Sequence, residues 1–213
     1  VAKLQLALDG DLRSALETLS AIHPYIDIAE AGTPLIFREG MNALRRIREA
    51  HPQLTLVADF KIMDAGRAEA DIAFSAGADV VTVMALAADA TIAGALESAR
   101  AHNKRVMVDM MQVADARARA FALVGLGCDL LCLHTAHDQQ VALGSPFAQL
   151  ADLREALPST GLAIAGGVKL PALERILPLK PEVIIVGSAI TADPNPRASA
   201  VQFHERIKAY GDA

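Results

Sequence analysis

The stretch Asp59-Phe60-Lys61-Ile62-Met63-Asp64 sets two carboxylates and one ammonium within six residues, directly after an apolar run. In extended backbone the side-chain period is two, so Asp59 and Lys61 face the same way and can reach one ligand, with Asp64 further out. Solvated loop charges are the plainer reading, but charges that leave an apolar strand in an α/β protein commonly serve a ligand. Glu30 closes the preceding apolar run. Its carboxylate and that of Asp59 repel each other unless a cation lies between them, and oxygen donors with room for water suit Mg²⁺. Pairing of Glu30 with Lys61 or an arginine is the alternative. His134 ends a later run and is followed by Thr135, Ala136, His137 and Asp138. A histidine at a strand end can move a proton near neutral pH, which makes His134 the candidate acid-base group and His137 a candidate substrate contact. Ala165-Gly166-Gly167 and Gly187-Ser188 let backbone approach an anion closely; ordinary turn glycines are the alternative.

These residues need a scaffold that gathers strand ends. Short apolar runs at 4–8, 25–29, 54–58, 80–84, 106–108, 130–133, 162–165 and 183–186 read as eight strands, apolar almost throughout, as parallel strands covered on both faces are. Between them lie segments of helical period, such as Leu12, Ala15, Leu16 and Leu19, or Ile92, Ala95, Leu96 and Ala99. Gly77 and Gly127 each offer a left-handed cap between a helix and a strand. The pattern predicts a (β/α)₈ TIM barrel with residues 1–213 as a single domain; a doubly wound sheet is the runner-up. In a barrel, Asp9, Glu30, Asp59, Asp109, His134, Gly166 and Gly187 all fall at one end, where the βα loops build active sites and the last two loops hold phosphate. A phosphorylated substrate follows.

Twenty Lys and Arg stand against 25 Asp and Glu, a net charge of −5 without a basic surface, which argues against nucleic acid as a partner. No apolar run is long enough for a membrane span and no signal-peptide pattern opens the chain, so a soluble, cytoplasmic protein is expected. Cys128 and Cys132 lie on a strand-like run before His134, which suits buried reduced thiols better than a zinc site.

Across nearly the whole chain these motifs resemble the orotidine monophosphate decarboxylase superfamily, in its branch of 3-hexulose-6-phosphate synthase and 3-keto-L-gulonate-6-phosphate decarboxylase. The likeness is carried by Leu6-Ala7-Leu8-Asp9, Glu30-Ala31-Gly32-Thr33-Pro34, the 59–64 motif, Val108-Asp109, His134-Thr135, Ala165-Gly166-Gly167 and Val186-Gly187-Ser188-Ala189-Ile190-Thr191. The resemblance implies a Mg²⁺-dependent lyase acting on a phosphorylated ketose through an enediolate, with Glu30 and Asp59 as metal ligands and Lys61 stabilising the enediolate charge. It also implies a homodimer with shared active sites, Asp64 reaching the partner's site. The small Ala65 and Gly66 would allow close packing of a neighbouring chain, and Asp64 as a helix cap is the alternative. Asp9 and Asp109 are expected on sugar hydroxyls. Asp109 and Ala165 match the synthase pattern, where the decarboxylase has Glu and Thr, and His137 stands where the decarboxylase has Arg. A synthase joining formaldehyde to D-ribulose 5-phosphate is the expectation, the decarboxylase the alternative, and a non-catalytic phosphate-binding protein the reading from another class.

Overall fold

The computed structural model describes residues 1–211 of the 213. Eight parallel strands close into a barrel in chain order: β1 (Lys3–Leu8), β2 (Ile28–Ala31), β3 (Thr55–Ile62), β4 (Val80–Met84), β5 (Arg105–Asp109), β6 (Leu130–His134), β7 (Gly161–Ala165) and β8 (Val183–Val186). Around them run α1 (Leu12–Ile22), α2 (Thr33–Glu39), α3 (Asn42–Ala50), α4 (Gly66–Ser75), α5 (Asp89–His102), α6 (Ala116–Gly125), α7 (Gln140–Leu143), α8 (Phe147–Ala156), α9 (Leu173–Ile176), α10 (Ser188–Thr191) and α11 (Pro196–Gly211). The expected barrel is the observed one. Among the described residues no helix is long and apolar enough to cross a membrane.

Strand alternation divides the apolar residues into two cores. Leu4, Leu6 and Leu8, with their counterparts on the other strands, face outward and pack on the helices. Ile28, Val57, Val80, Met107, Leu130, Cys132, Ala163 and Ile185 fill the barrel interior. Continuing that inward parity by two residues toward the C-terminal end brings in Glu30, Asp59, Thr82, Asp109 and His134. The apolar layers below therefore form the floor of a polar mouth. Cys132 belongs to the interior core and Cys128 to the helix-facing one, so the two thiols look to opposite sides of the strand wall.

Two boundaries differ from the sequence reading. The second strand begins at Ile28, because Pro24 starts a short 3₁₀ turn over His23–Tyr25, and it runs to Ala31, so Glu30 lies inside the strand. The third strand continues past Ala58 to Ile62 through a bulge, so the 59–61 segment belongs to the strand and is no loop.

Candidate active site

Glu30 and Asp59 are both buried at the mouth. Glu30 Oε2 accepts a 2.6 Å hydrogen bond from Gln5 Nε2, and Gln5 itself is fully buried on β1. Burial, and next the charge of Asp59, push the Glu30 carboxyl up to about 8. Burial pushes Asp59 the same way. The Lys61 ammonium and the hydroxyls of Thr33 and Thr82 outweigh it and hold Asp59 below the ordinary carboxylate value. Thr33 Oγ1 donates to Asp59 Oδ2 at 2.8 Å, Thr82 Oγ1 donates to Oδ1 at 2.8 Å, and Lys61 Nζ is paired with Oδ2. Burial works against the Lys61 charge, but Asp59, Asp109 and Glu30 together raise its pKa, so the ammonium persists.

Lys61 has a φ of 50°, in the left-handed region. For a lysine this conformation costs on the order of 1–3 kcal/mol and must be held by its surroundings. Asp59 and Lys61 meet as expected, although through a bulge and not through plain strand alternation.

Across the mouth, His134 Nδ1 lies 2.7 Å from Asp109 Oδ2, while Asp109 Oδ1 accepts from the Met111 backbone N–H at 2.9 Å. Burial disfavours a charged His134 ring, but the bond to Asp109 prevails and raises its pKa. With Nδ1–H directed at the carboxylate, Nε2 is the nitrogen left to exchange a proton. Asp109 has both oxygens engaged, which suits orienting the imidazole better than the expected bonds to sugar hydroxyls.

Asp9 stands exposed beyond β1. Arg38 donates to its backbone oxygen at 2.7 Å, and a Cβ on Gly32 would lie 2.0 Å from Asp9 Oδ1, so a side chain there would displace the Asp9 carboxyl. Partial desolvation and then the Asp59 charge raise the Asp9 carboxyl, with His137 among the cations that oppose the rise. His137 itself is exposed in a short 3₁₀ turn after β6. Ala165 ends β7, and Gly166 and Gly167 follow with φ of 86° and 69°. A Cβ at Gly166 would meet the Thr135 oxygen at 2.2 Å. Gly187 and Ser188 lie at the equivalent place after β8, opening the four-residue α10.

Asp64 is the predicted residue that the fold leaves apart. Its side chain is exposed and accepts from the neighbouring Ala65 N–H at 2.7 Å, outside the Asp59–Lys61 cluster. The cap position of α4 falls on Ala65, with φ of 48° and no side-chain cap bond. Gly66 does not await another chain: it is buried, and a Cβ there would lie 1.9 Å from the Thr91 oxygen of α5.

The model of the orotidine 5'-phosphate decarboxylase / HUMPS family matches residues 2–203. The chain belongs to this family. A protein of Bacillus subtilis (strain 168) named 3-hexulose-6-phosphate synthase is 40% identical over 206 residues, 96% of this chain and 98% of its own. One of the same name from Mycobacterium gastri is 40% identical over 206 residues, 96% of this chain and 99% of its own. The crystal structure of 3-hexulose-6-phosphate synthase from Salmonella typhimurium superposes with a TM-score of 0.95 at 38% identity, covering 98% of this chain and 99% of that one.

Two residues of this family member's mouth, Gln5 and Thr82, are absent from the sequence reading, and Thr33 enters it only within the 30–34 motif, without a role. Gln5 and Thr82 are polar side chains at inward parity within apolar strands, and that parity was the available signal. Thr33 follows Gly32 at the start of α2, where it looks like an ordinary first-turn residue. Among the described residues Gln5 Oε1 is buried without a partner, beside the Glu30 and Asp59 carboxyl groups. This all-oxygen donor set suits a hard divalent cation. Among the described residues no group of three or more His, Cys, Asp or Glu side chains is placed to hold a metal ion.

Proposed function

We propose that this chain is a 3-hexulose-6-phosphate synthase, a lyase that joins formaldehyde to D-ribulose 5-phosphate and runs the reverse cleavage. The observation that carries the reading is the pairing across one mouth of a His134–Asp109 acid-base couple with the Lys61–Asp59–Glu30 charge cluster. The full-length likeness to proteins of that name supports it.

His134 Nε2 takes the proton from C1 of the ketose. Asp109 balances the imidazolium that results. Lys61 stabilises the negative charge that spreads over the enediolate oxygens. The enediolate carbon attacks formaldehyde, one C–C bond forms, and the aldehyde oxygen becomes an alkoxide that takes the proton back from His134. Glu30 and Asp59 would hold a Mg²⁺ ion, which when bound supplies a Lewis acid for the ketose oxygens. Asp9 and His137 bind sugar hydroxyls, while the backbone N–H groups of Gly166, Gly167, Gly187 and Ser188 take the phosphate, with the small Ala165 leaving room beside them.

The working unit in this proposal is a homodimer. Phe37, Met63 and Leu86 leave large apolar side chains 85%, 52% and 52% exposed after β2, β3 and β4, three neighbouring strands. A second copy covering that sector would carry its exposed Asp64 toward this chain's mouth. Asp109 and Ala165 favour the synthase over decarboxylation of 3-keto-L-gulonate 6-phosphate, while His137 can carry the positive charge that the decarboxylase obtains from Arg. Steady-state rates separate the two: turnover of ribulose 5-phosphate with formaldehyde is expected to dominate, and faster loss of CO₂ from the ketogulonate phosphate would overturn the assignment.

A further inference from the structure

We infer that Thr82 is a positioning residue for this reaction: its one hydroxyl holds the Lys61 backbone and the Asp59 carboxylate together and thereby sets where the ammonium stands. Between the register pairs Ala58↔Val81 and Ile62↔Val83, β3 supplies Asp59, Phe60 and Lys61, whereas β4 supplies Thr82 alone. Thr82 is thus the residue opposite the bulge. The Lys61 N–H donates to Thr82 Oγ1 at 2.9 Å, and the same hydroxyl donates its own proton to Asp59 Oδ1 at 2.8 Å. The side chain is buried, with 4% exposure, so water does not readily replace it.

The hydroxyl has one donor and spare acceptor capacity, and the bulge uses both functions. Removing it leaves a part-buried N–H unpaired at a residue whose φ of 50° needs support. The bulge can then relax and swing Lys61 and Asp59 together, although neither of them has been altered. Phe60, between them, is partly buried and packs against the helix-facing core, so it anchors the middle of the bulge but makes no bond to the Lys61 N–H. The inference rests on the proposed use of Lys61 in the enediolate step.

The test compares the full-length Thr82→Val, Thr82→Ser and Lys61→Ala proteins with the wild type. Valine keeps the branched shape and drops both bonds; serine keeps both. Thr82→Ala replaces the valine protein if that one does not fold. The first readout is amide hydrogen exchange at Lys61, expected to quicken by about tenfold or more in Thr82→Val and to stay protected in Thr82→Ser. The second is deuterium entry at C1 of ribulose 5-phosphate in D₂O without formaldehyde, where kcat is expected to fall roughly a hundredfold in Thr82→Val with KM within about threefold. Thr82→Ser is expected to restore most of that rate. Wild-type exchange kinetics in Thr82→Val beside an inactive Lys61→Ala overturns the role of Thr82 alone, as does a Thr82→Ser protein as impaired as Thr82→Val. An unimpaired Lys61→Ala overturns the enediolate reading, and the role of Thr82 with it.

Discussion

Glu30 shows at the scale of one residue how a site departs from what stability alone would select. Its folded-state carboxyl is raised to about 8, so the fold favours the neutral form. The stability tied to Glu30 is therefore fully present below the ordinary carboxyl range and is lost as pH rises through about 8. Glu30→Gln keeps a neutral group beside Gln5 and offers an N–H to the unpartnered Gln5 Oε1. In chelated protein this variant is expected to melt higher than wild type, by roughly 2–4 °C at pH 8, the shift that about 1 kcal/mol produces in a chain of this size. The gap should close toward pH 4, and synthase activity should be lost at every pH. Melting curves across pH that ran parallel would contradict it. His134 makes the complementary case. Its pKa is raised, against burial, by the bond to Asp109, and it acts as a base when neutral, so activity should rise with pH through a limb above the ordinary histidine value. Asp109→Asn should shift that limb to lower pH and slow turnover by roughly a hundredfold. A pH–rate profile with an unmoved limb would remove Asp109 from the proton-transfer couple.

At the scale of elements, the mouth depends on backbone that only certain residues permit. Gly66 and Gly166 each lie against a backbone oxygen, at 1.9 Å from Thr91 and 2.2 Å from Thr135 for an added Cβ, but they serve different ends. Gly66→Ala pushes α4 from α5 and is expected to cost about 1–3 kcal/mol in stability, with the KM for ribulose 5-phosphate unchanged. Gly166→Ala forces a side chain onto a residue at φ 86° next to the strand that carries His134, and should raise that KM while moving the melting point less. Paired measurements of melting and KM would reject this division if both variants changed both quantities alike.

The same elements show what was readable in the sequence. Eight apolar runs with polar residues at their ends were enough for the barrel and for the gathering of Glu30, Asp59, Lys61, Asp109 and His134 at one rim, because in a parallel barrel each strand end points there. The bulge at 59–61 was hidden, since it is defined by register against β4, and a single strand carries no sign of its partner's register. Gln5 and Thr82 were hidden for the opposite reason. A polar residue within a β-rich run looks like propensity until the parity of the whole strand is known to point inward. Tyr25 reads as the start of the second strand because it opens a β-rich run, but Pro24 bends the chain into a turn there first.

At the scale of the whole molecule, Asp64 is the residue whose expected role one chain cannot fulfil alone. It is exposed, apart from Lys61, and no helix cap accounts for it. Mixing inactive Asp64→Asn with inactive Lys61→Ala subunits is expected to regenerate one complete site per heterodimer and so a fraction of wild-type activity, while verified heterodimers without recovery would place both residues in the same chain's site. The reaction proposed for this polar mouth is carbon–carbon bond formation at a phosphorylated ketose. The most direct test is to supply ¹³C-formaldehyde with D-ribulose 5-phosphate and Mg²⁺ and to follow the labelled carbon by NMR. The label is expected to move into the hydroxymethyl carbon of a six-carbon ketose phosphate, and to remain in formaldehyde when the protein is chelated or carries Lys61→Ala. Label that stays in formaldehyde with the intact, Mg²⁺-supplied protein would contradict the account.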